Sequence, residues 1–168
     1  MSLFMYHASI PPLTRMLGNL SAILRKAEAY AVERKIEPNV LLNARLAPDM
    51  LPLLRQVQIA SDNAKGCAAR LAGVEVPSYA DNESSFAELQ ARIDKTLAFM
   101  GGIQAAQFEG SESRPVTLKF PSMELNFNGQ DYLFNFVLPN FYFHVSTAYG
   151  ILRHNGLDIG KLDYLGKP

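Results

Sequence analysis

The stretch Met123-Glu124-Leu125-Asn126-Phe127-Asn128-Gly129-Gln130-Asp131-Tyr132-Leu133-Phe134-Asn135-Phe136-Val137-Leu138-Pro139-Asn140-Phe141-Tyr142-Phe143-His144-Val145 decides how this chain is read. Apolar and polar residues alternate on both sides of Asn128-Gly129. Asn-Gly between such runs predicts a tight hairpin of residues 123–127 with 131–135, because both turn residues need positive φ. From Pro139 the period changes. Phe141, Val145, Ala148 and Leu152 recur at three- and four-residue steps, which predicts a helix over 139–156 with Asn155-Gly156 as its left-handed stop. Asn140 and His144 lie four apart and share a face beside that stripe. Phe134, Phe136, Phe141, Tyr142, Phe143 and Tyr149 make the segment aromatic. Successive helical residues differ by about 100°, so some of these rings face outward, and a homodimer interface accounts for them.

Outward from this segment the chain reads as helices. Leu13, Leu17, Leu20, Leu24 and Ala27 form an apolar stripe, predicting a helix from Ser9 or Ile10 to about Arg34, with Ser9 as its cap and Pro11 and Pro12 in its first turn. Residues 37–47 connect, with a helical turn at Val40, Leu41 and Leu42. A second helix is expected from Pro48, carrying Leu53, Leu54, Val57, Ala60, Ala64, Cys67, Ala68 and Leu71, and stopping at Gly73. Ser85-Phe86-Ala87-Glu88 is a capping box that opens a third helix through Phe86, Leu89, Ile93 and Leu97. Residues 116–120 are extended, and the tail is expected to pack back through Leu157, Ile159, Leu162, Tyr164 and Leu165. The sum is an all-α fold, a single domain over 1–168: a four-helix bundle with a small β-hairpin before its last helix.

Composition narrows the function classes. Sixteen basic residues balance sixteen acidic ones, which leaves no excess to neutralise phosphates and argues against a nucleic-acid partner. No apolar run has the length of a membrane span. The N-terminus has no basic lead before a long apolar core, so no signal peptide is expected. Cys67, the single cysteine, allows no internal disulfide. It sits among apolar residues as a small core side chain and suits a reducing cytoplasm. Phosphate-binding loops, nucleophile elbows and paired-carboxylate signatures are lacking.

The segments Leu138-Pro139-Asn140-Phe141, Phe143-His144, Thr147-Ala148-Tyr149, Ile151-Leu152-Arg153-His154-Asn155-Gly156 and Gly160-Lys161, with Asp163-Tyr164-Leu165-Gly166, give the chain a specific likeness. Together with the helix order and the hairpin, they resemble the DinB/YfiT-like superfamily of four-helix bundles. The likeness is nearest to a bacterial and fungal branch defined only as a domain of unknown function. The resemblance implies a bundle, often dimeric, with a divalent metal in many members held by one histidine on the second helix and two at i and i+4 on the last. Aligned on the end of the last helix, His144 takes the second of the paired positions and Asn140 the first. The second helix has no histidine, and Gln56 or Gln58 lies nearest the third position. An amide oxygen is a poor ligand for ions that prefer imidazole, so the triad is incomplete. His154 lies ten residues beyond His144, roughly 15 Å along the axis, too far to join it on one ion.

The candidate site residues are therefore His144, Asn140, Gln56, Asp62 and Tyr149, with His144 as the one potential metal ligand. His144 reads either as a ligand or acid–base group lining a pocket, or as a buried histidine satisfied by a neighbour. Asp62 reads as the partner of Lys65 in a surface ion pair, or as part of a polar network with His144. No cofactor is assured by the residues; a divalent transition metal is what the resemblance adds. The leading expectation is a cytoplasmic homodimer that binds a small molecule near His144. The alternatives are a metal-dependent transferase acting on a thiol cofactor, by fold analogy, and a non-catalytic structural or stress-associated interaction protein.

Overall fold

The computed structural model describes residues 2–166. The expected 1–168 domain reaches past them at Met1, Lys167 and Pro168, which lie outside the described residues. The elements in order are α1 (Ser2–Arg34), α2 (Pro38–Leu42), α3 (Leu53–Ala72), α4 (Phe86–Gly101), a 3₁₀ turn (Ala105–Phe108), β1 (Pro115–Phe120), β2 (Met123–Asn128), α5 (Gly129–Asp131), a π-helical turn (Tyr132–Val137), α6 (Leu138–His154) and α7 (Lys161–Leu165). The long helices α1, α3, α4 and α6 form the bundle, with α3 packed on both α6 and α4, and α1 on α4. This is the all-α bundle with a small hairpin that the periodicities predicted. Among the described residues no helix is long and apolar enough to cross a membrane.

The core is built from the predicted stripes. Leu13, Leu17, Leu20 and Leu24 of α1, Val57, Ala60, Ala64, Cys67, Ala68 and Leu71 of α3, and Phe141, Ala148 and Leu152 of α6 are fully buried. Each large apolar side chain so placed contributes about 1.5–3 kcal/mol. Ala60, Ala64 and Ala68 leave room for bulky side chains on facing helices.

Four boundaries differ from the sequence reading. The helix expected from Ser9 starts at Ser2 and runs through Pro11 and Pro12. The prolines cost amide hydrogen bonds there, but Met5 and Ile10 are buried and Tyr6 stacks edge-on against Phe108 at 5.4 Å. Tertiary packing holds the extra turns, and Ser9 donates back to the Met5 carbonyl at 2.7 Å instead of capping. The helix expected from Pro48 starts at Leu53, behind Pro52 in an extended conformation with ψ 166°. A residue preceding proline disfavours the helical region, so Leu51 breaks the run.

The hairpin pairs β1 with β2, from Pro115 opposite Asn128 to Phe120 opposite Met123, and turns at residues 121–122. The expected Asn128-Gly129 turn is a helix start. Asn128 caps α5, its side chain accepting from the Asp131 amide at 2.8 Å and donating to the Asp131 carboxylate at 2.7 Å. Gly129 is buried against the 111–112 backbone, where a Cβ would drive into the Ser111 carbonyl. Asn serves N-caps as well as turns, and Gly serves close approach as well as positive φ. The last helix therefore begins not at Pro139 but at Gly129, and continues through the π-helical turn into α6.

The other termini follow local rules. Ser85 caps α4 by accepting from the Glu88 amide at 3.2 Å, while the Glu88 carboxylate reaches the Ser84 amide at 2.6 Å. Gly73 ends α3 at φ 72°, where the Arg114 guanidinium donates to the Leu71 carbonyl and complements the helix dipole. The tail packs back through Leu157 and Ile159, which are buried, with Lys26 paired to Asp163 at 2.6 Å and Asn19 donating to the Tyr164 carbonyl at 2.9 Å. Leu162 and Leu165, expected to pack as well, are exposed, because the short α7 turns them away from the bundle.

Candidate functional site

The helical phase of α6 turns His144 inward, where it is 8% exposed. Its Nδ1 lies 2.6 Å from Gln56 Oε1 on α3. The amide orientation follows from the other end of Gln56, whose Nε2 donates to the Leu51 carbonyl at 2.8 Å. Oε1 is thus the acceptor facing the ring, Nδ1–H is the donor, and Nε2 carries the imidazole lone pair. Burial pushes the His144 pKa below its ordinary value, so the ring is neutral at physiological pH. The geometry brings together two of the sequence candidates, Gln56 and His144, in one closed hydrogen bond.

Asn140 and Asp62 belong to a different place. They line a cleft of about 250 Å³ between α3, β1 and the π-helical turn. Its apolar walls are Ile59, Leu118, Phe120 and Phe136, and its polar lining is Asp62, Asn63, Arg70, Lys119, Tyr132 and Asn140. His144 is not among the residues that line it. The sequence builds this cleft locally. Ile59, Asn63, Gly66 and Arg70 recur at three- and four-residue steps on α3 and so share a face, while Leu118 and Phe120 lie on one face of β1. Tyr132 and Phe136 stack at 6.0 Å, and Phe127 packs against both. The π-helical turn sets these two rings, and such turns frequently sit at functional sites.

The polar groups of the cleft are unequally satisfied. Asp62 Oδ1 is 2.8 Å from both Lys65 and Arg92. The Asn63 Nδ2 is buried and has no hydrogen-bond partner. Arg70 donates to the Tyr132 hydroxyl at 3.1 Å. Burial raises the Tyr132 hydroxyl to about 12, so it stays protonated. Beneath them, burial raises the Cys67 thiol to about 12, with Arg70 opposing, so Cys67 is an inert core thiol.

Tyr149 lies in a third region. Its ring meets Tyr164 edge-on at 6.0 Å beside Ser146 and Lys161, against the tail. Sequence reasoning missed Arg92 and Tyr79. Arg92 of α4 is 3% exposed and donates to Ser61, Asp62, Glu83 and the Ala80 carbonyl, with Asp81 at 3.0 Å. Tyr79 offers its ring to Lys65 at 3.7 Å and Lys95 at 4.3 Å. The signal for Arg92 was its place between Leu89 and Ile93, inside the buried stripe.

These residues do not fit the metal site that the superfamily implies. The matching positions supply one imidazole, whose Nδ1 is held by Gln56, and two neutral amides, Gln56 and Asn140. His7 and His154 are exposed. Among the described residues no three His, Cys, Asp or Glu side chains cluster as a metal would require.

The model of a family described as "Domain of unknown function (DUF1993)" matches residues 5–165. No curated protein matches the chain. The crystal structure of a DinB family member protein from Shewanella denitrificans is 41% identical, covers 99% of this chain and 94% of its own, and superposes with a TM-score of 0.90.

Proposed function

Because this chain belongs to the DUF1993 family, and is a DinB-like bundle by its likeness to a DinB family member, we propose that it binds a small molecule without a metal, in the cleft between α3, the hairpin and the π-helical turn. The observation that carries this reading is the lining of the cleft: stacked aromatics and aliphatic walls around several polar groups, one of which, the buried Asn63 Nδ2, has no hydrogen-bond partner. Convergent polar groups in an apolar concavity are the usual mark of a ligand site. The volume supports a ligand of about one ring, since drug-sized molecules occupy roughly 300–1,000 Å³. His144 serves this function indirectly, by tying α6 to α3 through Gln56. The transferase reading lacks support from the donor set, and the size of the cleft does not favour a large thiol cofactor. Two further parts belong to the proposal. A reducing cytoplasm suits the lone buried thiol, and pairing of two copies suits exposed rings such as Phe143.

A thermal-shift screen of single-ring compounds tests the ligand reading. Compounds that stabilise the wild type should lose their effect in Asn140→Leu and keep it in His144→Gln. Stabilisation that survives Asn140→Leu and disappears in His144→Gln would return the site to the histidine. Dialysis of untagged protein against zinc, nickel or ferrous ions should leave less than stoichiometric metal.

A further inference from the structure

We propose that the cleft takes a small anion, a carboxylate carried on a flat apolar body, that Arg70 is its anchor, and that Gly66 holds Arg70 in place. The inference rests on the cleft being the ligand site and adds the chemical class of its occupant.

The charges lining the cleft favour an anion. Three charged side chains contribute to its walls: Asp62, Arg70 and Lys119. Asp62 is already neutralised by Lys65 and Arg92. Lys119 stands opposite Glu124 across the hairpin. Arg70 donates to the Tyr132 hydroxyl and lies over that ring, its guanidinium carbon 5.9 Å from the centroid. Among the described residues no carboxylate pairs with it. A guanidinium has five N–H donors in a planar fork, so most of its capacity is open. The buried, unpartnered Nδ2 of Asn63 is a further donor in the same lining. Donors without acceptors call for a ligand that brings oxygens, and a fork matches a carboxylate with two parallel bonds.

The body of the ligand follows from the walls. Tyr132 and Phe136 present stacked rings, and Ile59, Leu118 and Phe120 add aliphatic and aromatic surface. About 250 Å³ holds a single ring with a short charged group.

Gly66 explains why the guanidinium lies where it does. It stands in the middle of α3, where glycine costs about 1 kcal/mol relative to alanine. A Cβ at this position would collide with Nη1 of Arg70, and would come within 3.8 Å of the Tyr132 hydroxyl. The guanidinium folds back over the helix into the space that a side chain would fill. Gly66 is thus a positioning residue, acting through Arg70.

Two-dimensional NMR titration of the full chain with sodium benzoate and with benzamide, its neutral counterpart, at constant ionic strength, tests the inference. Benzoate should move the amides of residues 59–70 and 118–136 saturably and bind about ten-fold tighter than benzamide. Arg70→Gln and Gly66→Ala should bring benzoate down to the benzamide level, with Arg70→Lys between them. A melting temperature within a few degrees of wild type establishes that each variant is folded. Equal binding of the two probes at these amides, or a preference for benzoate that survives Arg70→Gln, would overturn the anion while leaving the cleft as a ligand site. Failure of both probes to move these amides would overturn both.

Discussion

Arg92 and Arg70 stand on neighbouring helices, and the fold treats them in opposite ways. All three guanidinium nitrogens of Arg92 are bonded, to Ser61, Asp62, Glu83 and the Ala80 carbonyl. Burial works against its charge, yet the Glu83 hydrogen bond and the Asp62 charge outweigh this and raise its pKa. Arg70 has the Tyr132 hydroxyl and an open face toward the cleft. A buried charge with every guanidinium nitrogen bonded is part of the scaffold. Its contribution is specific geometry, here the fastening of the 79–83 loop across α3 and α4. A charge left with open donors beside a concavity is placed for something the chain does not itself supply. The contrast separates the structural polar groups of this protein from its candidate binding groups better than residue type does, since both are arginines.

Breaking the first half of the contrast should have the largest effect. Arg92→Met leaves Asp62 and Glu83 facing one another with fewer partners. Removing one member of a buried ion pair costs about 3–5 kcal/mol. Asp62 and Asp81 are half-exposed and keep partners in Lys65 and Arg55, so the lower end, about 3 kcal/mol, is expected. Thermal unfolding should then shift down by about 6–12 °C. A shift no larger than that of Arg70→Met would erase the distinction between the two arginines.

His144 stands between the two cases, with one ring nitrogen paired. Burial depresses its pKa below 6.5, so the unfolded chain takes up the proton first. The stability from the neutral ring is complete above about pH 6.5, and is lost as the pH falls from there through the lowered folded-state value. One proton corresponds to a slope of at most about 1.4 kcal/mol per pH unit. Urea unfolding between pH 7 and pH 5 should show this loss in the wild type and not in His144→Gln. The same slope in both would mean that the ring is solvated.

Arg70→Met should cost about 1 kcal/mol or less in urea unfolding, the worth of one hydrogen bond between partly exposed groups. A loss as large as that of Arg92→Met would make Arg70 a scaffold residue. The smallest change is expected from Gly66→Ala. The gain in helix propensity, about 1 kcal/mol, is offset by displacement of a flexible guanidinium, so stability should stay within about 1 kcal/mol of wild type. A large destabilisation would show that Arg70 cannot move aside, and that its place is enforced by more than Gly66.

Much of the fold was legible because its cues are local. The stripes on α1, α3, α4 and α6, the Ser85 cap and the Gly73 stop follow from spacing and backbone preference alone. Asn128-Gly129 misled because one dipeptide carries two meanings. The buried contact of Gly129 with the 111–112 backbone, which decides between them, is long-range. Pro11 and Pro12 misled for the same reason: the packing of Met5 and Tyr6 outweighs a local penalty. At the candidate site, Asn140 and Asp62 were singled out from the sequence and line the cleft, while Gln56 and His144 meet each other outside it. Asn63 and Gly66 had no signal, because an unpaired amide and a missing Cβ acquire meaning only from what surrounds them.

By itself the sequence determined the helices, their buried faces and the family, since periodicity and capping are properties of neighbouring residues. Only the tertiary structure decided which polar groups found partners. His144 meets Gln56 across 88 residues of chain, and Arg92 gathers its carboxylates from a helix and a loop. Pairing of that kind depends on where distant segments come to rest, and so do the unpaired amide of Asn63 and the want of a carboxylate at Arg70.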